Sequence, residues 1–333
     1  MVRPRVATAL GLLSTAALAS ATYTQTDNYD KNNFFQKFEF FSGPDPTNGH
    51  VQYADSSQAN NEGLAGFSGG GVYLGVDHTS NVTTGRPSTR VTSTATYTKG
   101  LFIADIAHMP AGTGQYGSCG LWPAFWMFGP NWPNGGEIDI LEGVNNQASN
   151  EITLHTAAGC SMTNPLNNSV TTMSSQDCQG NTGCPQVTNN PATYGSAFNA
   201  AGGGVYAVEW TSTAISVWFF SRSDPMVASL TNNANPDPAT FGTPLAQFAG
   251  NGGCDIDQHF ANHQIVFNID FCGDWAGNVF DSDPTCKSTN LSCNDYVGQN
   301  PEAFVEAYWL INSVKVFQQT GTPAVKKARR FKA

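Results

Sequence analysis

Apolar residues recur along this chain at every second position, or in unbroken runs of strand length, and turn-forming residues close each run. The clearest runs are GVYLGVD (71–77), STRVTSTATYTKGLFIADIAHM (88–109), AFWMF (124–128), EIDILEG (137–143) and EITLHTA (151–157). VYAVEWT with AISVWFF (205–220), HQIVFNIDF (263–271) and EAYWLINSVKVFQQ (306–319) continue the series. Period-two alternation sends one strand face to a core and the other outward. Between 205 and 220 the order is strand, Thr-Ser-Thr turn, strand, which predicts a β-hairpin. Many strands without intervening helices predict an all-β sandwich or jelly roll. Residues 158–204 and 221–262, rich in Asn, Gly, Thr, Pro and Asp, lack an apolar period. They are expected to be long loops tied down by disulfides and not a second domain.

The first 21 residues stand outside that pattern. Arg3 and Arg5 precede a short apolar run ending in small-x-small steps near residues 19–21, the order of a secretory signal peptide. The expected organisation is therefore a signal at 1–21, a single domain at 22–322 and a basic tail at 323–333. Secretion fits the eight cysteines, all after the signal and even in number. Spacing alone does not choose among their connectivities, though Cys178/Cys184 and Cys286/Cys293 would close short loops. No CxxC spacing suggests a metal site. His259 and His263, four apart, lack the glutamate of a metalloprotease helix. Asn81, Asn167 and Asn290 head Asn-x-Ser/Thr sequons, candidate glycan sites on surface loops.

Charge narrows the partners. The formal net charge is −10. Of fifteen Lys and Arg, two lie in the signal and five in the last nine residues, which leaves eight against 25 acids, or −17, in the body. Such a surface repels nucleic acid and anionic membranes and suits a neutral ligand. No membrane association is expected once the signal is removed, and the protein is expected to act as a monomer.

The chemistry concentrates at NGGEIDILEGVN (134–145), where Glu137, Asp139 and Glu142 interrupt an apolar run. An unpaired buried acid costs several kcal/mol. Glu137 and Asp139 share a strand face, and Ile138 and Ile140 take the other. Strict alternation would bury Glu142. A one-residue β-bulge near Ile140–Leu141 restores it to the polar face and returns both apolar side chains to the core. Two glutamates flanking an aspartate on one face suit glycoside hydrolysis, in which one carboxylate attacks and a second carboxyl protonates the leaving oxygen. A solvent-facing acidic strand needs no bulge, and calcium draws mainly on loop oxygens.

GGEIDILEG resembles the Glu-x-Asp-x-x-Glu signature of the glycoside hydrolase family 16 β-glucanases. LWPAFWMFGPNWPNGGEIDILEGVN, LHTAAGC, GVYAVEWT, FCGDWAG and AYWLINSVKVF are similar to blocks of its fungal laminarinase-type members, in order over about residues 25–320. The resemblance implies a β-jelly roll of two curved antiparallel sheets with an open cleft on the concave face. It implies a retaining endo-β-glucanase for β-1,3 or mixed β-1,3/1,4 glucans, with Glu137 as nucleophile, Glu142 as general acid/base and Asp139 as their partner. It implies no cofactor and no metal. Trp132 and Trp275 match aromatics that line the family's cleft. His155 is expected within reach of Glu142, to hydrogen-bond a leaving group or tune the acid. Arg90 matches a groove arginine, with a salt bridge as the alternative. Trp122 and Trp126, four apart, share a face beside the acids and belong to cleft or core. Trp210, Trp218 and Trp309, within apolar runs, belong to the core. A non-catalytic glucan-binding relative would typically lack one or both glutamates. A wall-remodelling transglycosylase usually carries the unbulged Glu-x-Asp-x-Glu form.

Overall fold

The computed structural model describes residues 22–166 and 170–320. The signal segment, the basic tail and the Asn167 sequon lie outside the described residues, whereas Asn81 and Asn290 are exposed. Two eight-stranded antiparallel sheets form a β-jelly-roll sandwich. One sheet, called here the acid sheet, runs in the order Thr171–Met173, Gln186–Thr188, Glu151–His155, Glu137–Glu142, Leu121–Phe128, Gln264–Phe271, Arg90–Ser93, Phe38–Phe40. The second runs Ala246–Ala249, Ala214–Ser221, Gly204–Trp210, Gly100–His108, Trp309–Thr320, Gly71–Leu74, Ala65–Ser68. Thr22–Tyr29 also pairs with Trp309–Thr320. The 205–220 hairpin forms as its pattern predicts.

The inward residues of each strand fill the space between the sheets. Phe125, Met127, Ile138, Leu154 and Phe267 meet Phe102, Ile106, Tyr206, Val208 and Trp309 in one buried cluster. Phe125 and Phe267 stack at 4.5 Å, and Phe267 meets Trp309 edge-on at 5.5 Å. Each such side chain contributes roughly 1.5–3 kcal/mol by leaving water. Trp210 and Trp309 are core residues, as expected. Trp218 is buried too, but in a smaller cluster on the outer face of the second sheet.

That outer cluster revises the expectation for residues 221–262. Leu101, Ile103, Val205, Ala207 and Phe220 would be bare on this face without a cover. The helix Met226–Asn232 lays Val227 and Leu230 over them, and Phe241 completes the lid. A helix of seven residues with two buried positions is too short to print a period in the sequence. The other presumed loop, 158–204, adds strands Thr171–Met173 and Gln186–Thr188 to the acid sheet. Among the described residues no helix is long and apolar enough to cross a membrane.

All eight cysteines pair: Cys119–Cys286, Cys160–Cys254, Cys178–Cys184 and Cys272–Cys293. The local Cys178–Cys184 pair is as expected, but Cys286 and Cys293 do not pair with each other. They belong to two separate short helices, Pro284–Lys287 and Cys293–Gln299, capped independently by Asp283 and Ser292. Tertiary packing turns each toward a distant partner. Cys160–Cys254 joins the two irregular segments across 94 residues, and Cys178–Cys184 closes only six. In the chain-entropy account these loops correspond to about 4–5 and about 2 kcal/mol. Replacing Cys160 and Cys254 with Ser is therefore expected to lower unfolding free energy about twice as much as replacing Cys178 and Cys184. Urea titration of the two double variants measures the difference.

Candidate active site

Cross-strand register assembles the site. Residues paired across an antiparallel sheet share a face, so the outward face of the acid sheet reads as three rows. One row runs Glu151, Glu142, Ala124, Asn268, Arg90; the next Thr153, Asp139, Trp126, Val266, Thr92. The third runs His155, Glu137, Phe128, Gln264. All three acids fall on this face because the register slips by one residue between Asp139 and Leu141 against the neighbouring strand. The slip is the bulge the alternation demanded. Ile140 and Leu141 are both fully buried on the inner face.

The turn that delivers Glu137 is tightly built. Gly136 has φ +75°, and a Cβ there would lie 2.5 Å from the His259 carbonyl, so only glycine fits. Next to it, buried His263 bonds the Gly135 carbonyl through Nε2 at 2.8 Å. Burial pushes His263 down to about 4, so the ring is neutral and Nε2–H is the donor. His263 thus anchors the 129–136 loop. The loop presents Trp132, 45% exposed, whose indole N–H donates to Glu137 Oε2.

Every acid of the triplet has a dedicated partner. Trp122 Nε1 donates to Glu142 Oε1 at 2.7 Å. His155 Nε2 lies 3.1 Å from Asp139 Oδ2, and His155 Nδ1 lies 2.8 Å from the Gly180 carbonyl. A carbonyl only accepts, so Nδ1 carries a proton. Burial alone would lower the His155 pKa, but Asp139, Glu137 and the Gly180 carbonyl carry it up to about 10. The ring is therefore an imidazolium, bonded to the Gly180 carbonyl through Nδ1 and ion-paired with Asp139 through Nε2. This places His155 opposite Glu137 and on Asp139, not on Glu142 as the sequence suggested. Glu137, Asp139 and His155 converge like metal ligands, with one atom from each within 4.8 Å of the others.

The carboxyls resist full ionisation. Burial, then the charge of Asp139, raises Glu137 to about 8, against the opposing pull of His155 and the Trp132 N–H. Burial and Asp139 likewise hold Glu142 well above the carboxylate range, with the Trp122 N–H opposing. One cation cannot neutralise three acids, so the cluster retains a proton at mildly acidic pH. A carboxyl that keeps its proton beside one held by a cation and an N–H is the asymmetry that acid/base chemistry requires.

The remaining predicted residues lie on the same face. Trp122 and Trp126 are both half-buried, and neither belongs to the inter-sheet core. Trp122 meets Trp275 edge-on at 5.7 Å, and Trp126 Nε1 donates to Asn268 Oδ1 at 2.7 Å. Arg90 forms no salt bridge among the described residues. Its guanidinium sits between rings, 4.7 Å from the Phe41 centroid and 5.1 Å from Trp126.

Sequence reasoning missed Asn268 and Asp270, although the polar–apolar alternation they make with Phe267, Ile269 and Phe271 in HQIVFNIDF was a legible signal. Asp270, opposite Trp122, is buried, and its Oδ2 lies 2.9 Å from the Thr47 hydroxyl. That hydroxyl also contacts Asp45 Oδ2 at 2.5 Å, and Asp45 accepts the Thr47 and Gly49 N–H groups as well. Thr47 has one hydroxyl proton for two carboxyls, so Asp270 keeps its own; burial and the nearby Asp45 raise it well above its usual range. The same loop grips the Trp275 turn, through Asn48 to the Asp274 carboxylate and Asp274 N–H to the Thr47 carbonyl.

A jelly roll presenting paired carboxyls among exposed indoles on one open sheet face has the character of a glycoside hydrolase. A family model described as the XgeA-like catalytic GH16 domain matches residues 38–317. An endo-1,3(4)-beta-glucanase of Arthroderma benhamiae is 45% identical over 325 residues, covering 94% of this chain and 69% of that protein. A relative in Aspergillus fumigatus is 44% identical over 330 residues, and this chain spans 49% of its length. Laminarinase 16A from Phanerochaete chrysosporium, solved with β-glucans in donor and acceptor sites, is 40% identical with a TM-score of 0.81, covering 90% of this chain and 100% of that one. A solved elongating β-1,3-glucosyltransferase of the same family is 43% identical with a TM-score of 0.78, covering 89% and 100%. The chain belongs to glycoside hydrolase family 16.

The retained protons tie stability to pH. The acid cluster as a whole keeps a proton that the unfolded chain releases, with Glu137 raised in the fold from 4.5 to about 8. Its contribution is full below about pH 4.5 and is lost as pH climbs toward 8. Glu142 and Asp270 are raised and act in the same direction. The melting temperature is expected to fall between pH 5 and 8, and less steeply in Asp270→Asn. Calorimetry across that range would show parallel slopes if Asp270 were ionised in the fold.

Proposed function

We propose that this chain is a secreted, retaining endo-β-glucanase acting on β-1,3 or mixed β-1,3/1,4 glucans. The observation that carries the reading is the bulged strand, which turns Glu137, Asp139 and Glu142 to one face and gives each its own donor. With the cluster's retained proton on Glu142, Glu137 is the carboxylate, held by the Trp132 N–H and near the His155 charge, and it attacks the anomeric carbon. Glu142 gives its proton to the departing glycosidic oxygen. The ester formed on Glu137 is then opened by water, whose proton passes to Glu142, restoring both groups. Asp139, paired to the His155 imidazolium, keeps charge close to Glu137 while the latter loses its own. No cofactor enters these steps. The Arthroderma and Phanerochaete similarities support a β-glucan substrate, and the four disulfides fit an oxidising compartment.

Sugar binding is assigned to the aromatic surface. Trp132 is exposed beside Glu137, and Trp122, Trp126 and Trp275 floor the same face, with Arg90 beyond. Flat rings match the apolar faces of glucose units, and an open face accepts the interior of a polymer. The likeness to an elongating glucosyltransferase favours one second reading, in which a sugar acceptor replaces water on the same intermediate.

Reducing-sugar release from laminarin, lichenan and carboxymethyl-cellulose at mildly acidic pH tests the assignment. Wild type is expected to cleave the first two, and Glu137→Gln to lose at least about a thousandfold in rate. Proton NMR of the first product is expected to show the β-anomer; an α-anomer would exclude the intermediate. Products longer than the substrate would favour the transferase. Trp132→Ala is expected to raise KM on laminarin about tenfold, in line with loss of one stacked ring. Unchanged KM would remove Trp132 from the sugar surface.

A further inference from the structure

The bulge beneath Glu142 leaves two backbone groups without strand partners, and a single side chain takes both. Where the acid strand slips against Glu151–His155, the four residues from Asp139 to Glu142 face three on the neighbour, from Thr153 to Glu151. The ladder breaks there, and a bulge normally leaves its extra residue unpaired. Asn150, the residue just before that neighbouring strand, fills the gap. Its Oδ1 accepts the Glu142 N–H at 2.8 Å, and its Nδ2 donates to the Ile140 carbonyl at 2.8 Å. The carboxamide thus stands in for a peptide group of the absent rung.

Asn150 is fully buried and its own backbone is held on both sides. Its N–H donates to Thr193 Oγ1 at 3.1 Å, and its carbonyl accepts the Thr188 N–H at 3.0 Å. Thr193 is fixed in turn by the Tyr206 hydroxyl, which donates to its carbonyl at 2.6 Å. The carboxamide therefore cannot shift without disturbing several buried bonds. Alanine would leave the Glu142 N–H and the Ile140 carbonyl unsatisfied. Aspartate keeps the acceptor and loses the donor. Glutamine has the right groups on a side chain one carbon too long.

We propose that Asn150 is a positioning residue for proton transfer: its carboxamide closes the bulge and sets where the Glu142 carboxyl sits. The inference rests on the reading of Glu142 as the general acid/base. A carboxyl displaced by even about 1 Å loses on the order of a hundredfold in rate, and only in steps that use its proton.

The dependence on leaving group separates this role from a merely structural one. Asn150→Ala, Asn150→Asp and Glu142→Gln are assayed on laminarin, whose leaving alcohol needs a proton, and on a 2,4-dinitrophenyl β-laminaribioside, whose phenolate does not. Asn150→Ala is expected to lose ten- to a hundredfold in kcat on laminarin with KM within about twofold. Its dinitrophenolate burst is expected within about threefold of wild type, and azide, a nucleophile that needs no base, is expected to restore turnover. Asn150→Asp, equal in size and retaining the Glu142 contact, is expected to fold and to fall between alanine and wild type. If Glu142→Gln shows the split between substrates and the Asn150 variants lose both equally, or lose neither, the positioning role is wrong. If Glu142→Gln itself shows no split, the acid/base reading fails and takes this inference with it.

Discussion

Holding three carboxyls side by side on a half-buried sheet face is the constraint from which most of this structure follows. Desolvation and mutual repulsion oppose it, and one imidazolium with two indole N–H groups offsets them. Each compensating group needs its own scaffold. The Gly180 carbonyl that orients His155 belongs to the segment closed by Cys178–Cys184. Within the same loop, a Cβ on Gly183 would fall 2.7 Å from His155 Nδ1, so the chain passes close against the ring. The small disulfide loop serves the orientation of one histidine. On the other side, His263 and Gly136 hold the turn that presents Trp132.

The sandwich supplies what loops alone could not. Glu137–Glu142 is an interior strand, flanked on both sides and backed by Ile138, Ile140 and Leu141 against a close-packed core. Side chains on such a strand move little, because any shift must displace packed neighbours. Around this fixed centre the aromatic floor is built from rings with polar handles: Trp122 spends its N–H on Glu142, and Trp126 on Asn268. Arg90 lies buried between the Phe41 and Trp126 rings, with no carboxylate partner among the described residues.

Protons are held at two places on this face. One is the acid triplet; the other is Asp270, where a threonine hydroxyl shared with Asp45 leaves one carboxyl protonated. Both arrangements are most comfortable in acid, and the chain's large negative charge is reduced under the same conditions. The second also clamps the turn that bears Trp275, so stability and the shape of the aromatic surface share one titration range.

The order of strands, the hairpin at 205–220 and the bulge at Ile140–Leu141 were all legible in the amino-acid order. They follow from a local rule, in which side chains alternate and three acids cannot be reconciled with alternation without one extra residue. The resemblance to family 16, and not a local pattern, marked Trp132 and Trp275 as aromatics beside the acids. The partners of Cys286 and Cys293, the histidine's choice of Asp139 over Glu142, and the helical cover formed by Val227 and Leu230 were not legible. Neither was the use of Asn150 to complete a broken ladder. These depend on which distant segments meet, and meeting is decided by packing across the sandwich, where no short-range period leaves a trace. Sequence alone determined which groups face one another along a strand; tertiary structure decided which groups answer them from outside it.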